Sequence, residues 1–91
     1  MYEIRDNPGA SRFETEAEGH LCVIDYRSGD GTITFVHTEV PEAVSGRGIA
    51  GALARFALDQ AREKNLKVVS LCSYITTWIR RHPDYADLLT P

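Results

Sequence analysis

Apolar and polar positions alternate along the first forty residues and then change to a helical period. Residues 12–16 interleave charge with Phe13 and Thr15, which predicts a short amphipathic strand ending before Glu18-Gly19. Residues 20–27 are rich in Leu, Cys, Val, Ile and Tyr and read as a strand covered on both faces. Ser28-Gly29-Asp30-Gly31 is a hairpin turn, because Gly and Asp tolerate positive φ. Residues 32–40, TITFVHTEV, return as a β-branched strand that stops at Pro41. These three strands form an antiparallel meander. Residues 1–10, with Asn7-Pro8-Gly9 as a turn signal, read as an irregular lead-in.

After Pro41 the period becomes 3.6. Ile49, Leu53, Phe56 and Ala57 form one stripe with Ala50, Ala54 and Ala61 beside it, while Arg55, Asp59, Arg62 and Glu63 occupy the other side. The helix is expected from residue 48 or 49 to about residue 64, with Asn65 as its stop. Residues 67–73, KVVSLCS, form a strand, and residues 75–81 form a helix with Ile75, Ile79 and Trp78 inward. Pro83 ends or restarts that helix, and residues 84–89 add a turn or two. The order is βββαβα: an antiparallel meander, a β-α-β crossover and a C-terminal helix, which is an α+β fold.

Composition narrows the classes. At 91 residues there is room for one domain, residues 1–91. With 43% hydrophobic residues and a net charge of −3, the chain is not intrinsically disordered. The charge is divided: residues 1–45 hold three arginines against nine acids, and residues 46–91 hold seven basic residues against four acids. An acidic chain of this size argues against a nucleic-acid partner, and the division points to two ligands of opposite charge. Cys22 and Cys72 lie fifty residues apart with no metal-ligand spacing, so neither a metal nor a disulfide scaffold is expected. The first residues carry no basic region followed by an apolar one, and the longest apolar runs are four to five residues. The expectation is a reduced, cytoplasmic protein with no membrane partner.

The chemistry lies in residues 40–55. Gly46, Gly48 and Gly51 satisfy G-x-G-x-x-G at a strand-to-helix junction, where glycines let backbone N–H groups approach an anion and the helix start adds positive potential. Arg47 stands between two of them, so the reading is a pyrophosphate site. A dinucleotide fold would need the glycines directly after the strand and an acid about 20 residues on. Five residues, 41–45, intervene here and the strand at 67–73 offers no acid. A P-loop is excluded because Gly51 is followed by Ala52-Leu53, and a His-x-Glu deaminase needs a later Pro-Cys-x-x-Cys that is missing.

This segment resembles the GNAT acetyltransferase superfamily, whose acetyl-CoA loop reads Gln/Arg-x-x-Gly-x-Gly/Ala. Residues 45–50, Ser-Gly-Arg-Gly-Ile-Ala, match its fourth and sixth positions, with Ser45 where Gln or Arg is usual. The nearest resemblance is to short, single-domain members of about a hundred residues. These share H-T-E-V-P before the loop, L-C near the end of the next strand and I-R-R-H-P-[DE]-Y afterwards. All three stand here, at residues 37–41, 71–72 and 79–85.

The resemblance implies a minimal GNAT-like fold that binds acetyl-CoA and transfers acetyl to an amine. Val40, Ser45, Gly46, Arg47, Gly48, Ile49 and Ala50 would hold the cofactor, and Ser45 leaves the grip to backbone amides and Arg47. Cys72 falls where the acyl thioester is expected and would act as nucleophile or as acid; its other reading is a small buried hydrophobe. His37, near the end of the neighbouring strand, would be the general base, and the two are expected to be neighbours. Tyr74 is expected at the cofactor, as a phenolic acid for the thiolate or as packing. His82 and Tyr85 read as structural, as does Cys22. The two helices that usually follow the first strand are absent, so the acceptor site is shallow or completed by a second chain or another protein. The acceptor is expected to be a cationic amine, small or on a protein. The alternative is a CoA-binding regulatory module without turnover.

Overall fold

A computed structural model describes residues 2–90. Five strands form one sheet in the order of the chain: β1 (Arg5–Asn7), β2 (Arg12–Ala17), β3 (His20–Gly29), β4 (Thr32–Glu39) and β5 (Lys67–Ser70). The first four pair antiparallel and β4 pairs parallel with β5. Helix α1 (Ile49–Glu63) makes the crossover between them, and α2 (Ser73–Arg81) follows β5. The architecture is α+β, as the alternation and the change of period require. The hairpin between β3 and β4 turns on Asp30 and Gly31 at φ 53° and 77°, whose left-handed pair matches the twist of the strands.

Two local expectations change. The lead-in contains β1, where Arg5, Asp6 and Asn7 pair with Glu14, Phe13 and Arg12. It is three residues long with no apolar alternation, so only its pairing defines it; Arg5 and Asn7 both donate to Glu14. The strand expected over residues 67–73 ends at Ser70, because Cys72 is already the N-cap of α2. Residues 83–88 form 3-10 turns.

Both helices lie on one face of the sheet. Phe13, Cys22, Ile24, Tyr26, Ile33 and Phe35 meet Leu53, Ala54, Ala57 and Leu58 of α1 and Ile75 and Ile79 of α2 in one buried cluster. Ala54, Ala57 and Ala61 are fully buried, so α1 sits close to the strands, and each buried leucine beside them contributes about 1.5–3 kcal/mol. Trp78, 7% exposed, belongs to this core. It stacks on His82 at 3.7 Å between centroids and meets Tyr85 edge-on at 5.2 Å. Tyr85 donates to Asp59 at 2.7 Å and Arg62 pairs with Asp87, which ties the C-terminal turns to α1. The opposite face carries Glu14, Glu16, Asp25, His37 and Glu39, and no helix among the described residues covers it.

Candidate active site

A bulge in β4 builds the site. Asp25 pairs with His37 and the next residue, Tyr26, pairs with Phe35, so Val36 is an extra residue in β4. Pairing with β5 covers only Thr32 to Phe35, and the last bond runs from the Leu71 N–H to the Phe35 carbonyl at 2.9 Å. Beyond it β5 ends at Ser70 while β4 runs on past its bulge to Glu39. The end of β4 leads toward the start of α1, and the β5–α2 junction carries Cys72.

The extra residue also inverts the facing of everything after it. Alternation from Ile33 and Phe35 would turn His37 inward. Instead Thr38 shares the helical face with Phe35, through its pairing with Ile24. Its Oγ1 lies 3.3 Å from Cys72 Sγ. His37 turns to the uncovered face, half exposed, with Nε2 3.4 Å from Glu39 Oε1. His37 and Cys72, expected to be neighbours, share no hydrogen bond among the described residues, and the Thr38 hydroxyl stands beside the thiol.

Cys72 is 7% exposed and its backbone is held firmly. Ser70 Oγ donates to the Cys72 carbonyl at 3.0 Å and lies 2.7 Å from Thr76 Oγ1, and the Thr76 N–H donates to that carbonyl at 3.0 Å. Tyr74, the second residue of α2, is 37% exposed, and burial with the nearby Cys72 raises its hydroxyl above the usual range against a lowering by Arg81. The Tyr74 hydroxyl and Trp78 Nε1 each lie 3.7 Å from where a Cβ on Gly51 would stand, so α1 and α2 touch at Gly51. Cys22 is fully buried, and that burial pushes its thiol up.

Val40, half-buried, leads from β4 into a single 3-10 turn, Glu42–Val44, and Ser45 spends its hydroxyl on the Glu42 carbonyl at 2.9 Å. Gly46 and Gly48 then adopt φ 78° and 77° with no atom within 4 Å of a Cβ built on either. Gly48 caps α1 without any side-chain bond, and the first helical hydrogen bond is Ala52 N–H to the Gly48 carbonyl at 3.0 Å. The N–H groups of residues 46–51 therefore have no hydrogen-bond acceptor among the described residues. Ile49 is buried and anchors the turn, and Ala50 is half-buried. Arg47 forms an ion pair with Glu18 of the β2–β3 turn, and its carbonyl accepts from the Tyr2 hydroxyl at 3.4 Å.

Thr38 and Glu18 were not legible in advance. A bulge leaves no mark in a β-branched run, and Glu18 meets Arg47 across 29 positions. His82 Nδ1 donates to the Trp78 carbonyl at 2.7 Å and, with Tyr85, packs against Trp78 to hold the C-terminal turns. No group of three His, Cys, Asp or Glu among the described residues is arranged to hold a metal ion. No described helix is long and apolar enough to cross a membrane.

A glycine loop whose N–H groups lack acceptors thus opens the helix that crosses between the parallel strands β4 and β5. The sequence matches the GCN5-related N-acetyl-transferase family over residues 12–88, and the chain belongs to that family. It is 42% identical over 65 residues to Protein NATD1 of Xenopus tropicalis, covering 69% of this chain and 60% of that protein. The human Protein NATD1 gives the same identity over 65 residues and 58% of its length. The chain thus spans about three fifths of these relatives. Among solved structures, a GCN5-like protein from Staphylococcus aureus determined by NMR superposes with a TM-score of 0.74 at 28% identity, over 97% of this chain and 87% of that one.

Proposed function

We propose that this chain binds acetyl-CoA and transfers its acetyl group to an amine. The observation that carries the reading is the row of N–H groups without acceptors across Gly46 and Gly48 at the start of α1. Backbone donors at a helix start suit a pyrophosphate, and Arg47 adds a cation if it exchanges Glu18 for phosphate. Val40, Ser45, Ile49 and Ala50 shape that cradle. The cosubstrate supplies a thioester carbonyl; the protein supplies orientation and donors for the charge that develops on its oxygen. The amine nitrogen bonds to the carbonyl carbon as the carbon–sulfur bond breaks. The nitrogen loses a proton and the thiolate gains one. In this reading Cys72 and Tyr74, at the start of α2, serve the second step, Cys72 alternatively as a nucleophile, and His37 serves an amine arriving from the uncovered face.

The acceptor we propose is a cationic amine, because Glu16, Glu39 and Asp25 share that uncovered face with His37. A second chain or a partner protein would supply the missing acceptor wall. The same uncovered face favours the second reading, a CoA-binding module without turnover. The two separate in one experiment. Heating with and without CoA reads binding, and free-thiol release from acetyl-CoA with a panel of amines reads turnover. Binding with release, abolished by Cys72→Ala at unchanged CoA affinity, is the expected result. Binding without release on any amine leaves the module, and no thermal shift removes both.

A further inference from the structure

We propose that Thr38 is a positioning residue for Cys72, holding its sulfur beside the end of β4 as a hydrogen-bonded nucleophile or proton carrier. The inference rests on the reading of Cys72 as a reacting group. The bulge at Val36 delivers Thr38 to the helical face, with Oγ1 at 3.3 Å from Cys72 Sγ. The sulfur is the only partner of that hydroxyl, and the hydroxyl the only polar partner of the sulfur, among the described residues. A threonine needed for packing alone would be matched by valine, which fills the same volume in a β-strand without bringing a donor. The remaining contacts fix the geometry from the other side: Ser70 and Thr76 grip the Cys72 carbonyl, so the thiol cannot drift from the first turn of α2. The Thr38 hydroxyl and the first turn of α2 thus meet one sulfur from two sides. A buried structural cysteine has neither, as Cys22 illustrates: its sulfur reaches only the His20 carbonyl, at 3.8 Å.

Iodoacetamide labelling of the whole chain at neutral pH, read separately for Cys72 and Cys22 by peptide mass spectrometry, tests this without acetyl-CoA. Thr38→Val should slow Cys72 labelling by about tenfold, the size one hydrogen bond to a charged group supports, and Thr38→Ser should restore it to within about twofold. Cys22 labelling reports folding in every variant and should stay negligible. If Thr38→Val fails to fold by that criterion, Thr38→Ala against Thr38→Ser makes the same comparison. In turnover, Thr38→Val should lower kcat and leave CoA affinity unchanged. Cys72 labelling that is equally fast with and without the hydroxyl overturns the proposal, whatever the outcome with CoA. Absence of CoA binding in the parent overturns the transferase reading and leaves the labelling result to stand by itself.

Discussion

Replacing Gly48 by alanine separates backbone strain from ligand exclusion at the start of α1. Gly48 sits at φ 77°, ψ 12°, where an L-residue suffers about 1–2 kcal/mol from its Cβ against the following carbonyl. Nothing in the protein lies within 4 Å of that Cβ, so packing adds no further term. Reduced freedom of the unfolded chain returns about 0.4–1 kcal/mol, and a net loss near 1 kcal/mol remains. In a domain of this size that lowers Tm by about 4–8 °C. Strain is present with and without ligand, so it cancels in Kd. A change in CoA affinity then reports the methyl group standing where phosphate would approach the N–H groups. Differential scanning calorimetry and isothermal titration with CoA read the two quantities. Gly48→Ala should melt lower and bind at least about tenfold more weakly, a loss of about 1.4 kcal/mol. Gly48→D-Ala, made by chemical ligation, relieves the strain but keeps the reduced freedom of the unfolded chain, and should raise Tm to or slightly above the parent value. An unchanged Tm in Gly48→Ala refutes the strain argument; unchanged affinity moves the phosphate elsewhere.

Two further perturbations test the scaffold. The buried Glu14 carboxylate accepts from Arg12 at 2.8 Å and from Arg5 and Asn7, and these contacts, Arg12 foremost, hold it below its ordinary value of 4.5. Its stabilisation is complete above that value and is lost as pH falls through the lowered one, so Tm should drop steeply in acid. Glu14→Gln should flatten the acid limb, and parallel curves for parent and variant would show that β1 is held otherwise. Tyr85→Phe keeps the ring against Trp78 but loses the hydroxyl bonds to Asp59 and Arg55, for a loss of about 1 kcal/mol in thermal unfolding with CoA affinity untouched. A weakened CoA complex at unchanged Tm would move Tyr85 into the ligand site.

How far the fold could be read in advance follows from the range over which each signal acts. The alternation of residues 12–40, the helical stripe of residues 49–61 and the Asp30-Gly31 turn are local patterns. The elements appear within one or two residues of where those patterns put them, except for the early end of β5. The glycine loop is local too, since Gly46 and Gly48 declare their left-handed backbone by lacking a side chain. The short strand β1 was invisible because three polar residues become a strand only when Glu14, Phe13 and Arg12 lie alongside. Facing was the other thing hidden. Alternation carries no record of an inserted residue, and the bulge at Val36 exists only because β3 and β4 pair in one register above it and another below. That register, decided by packing of both strands against α1, turned His37 outward and set Thr38 against Cys72. Local spacing chose the residues available for chemistry; which of them meet was settled by contacts across 34 positions of chain, which no local pattern can encode.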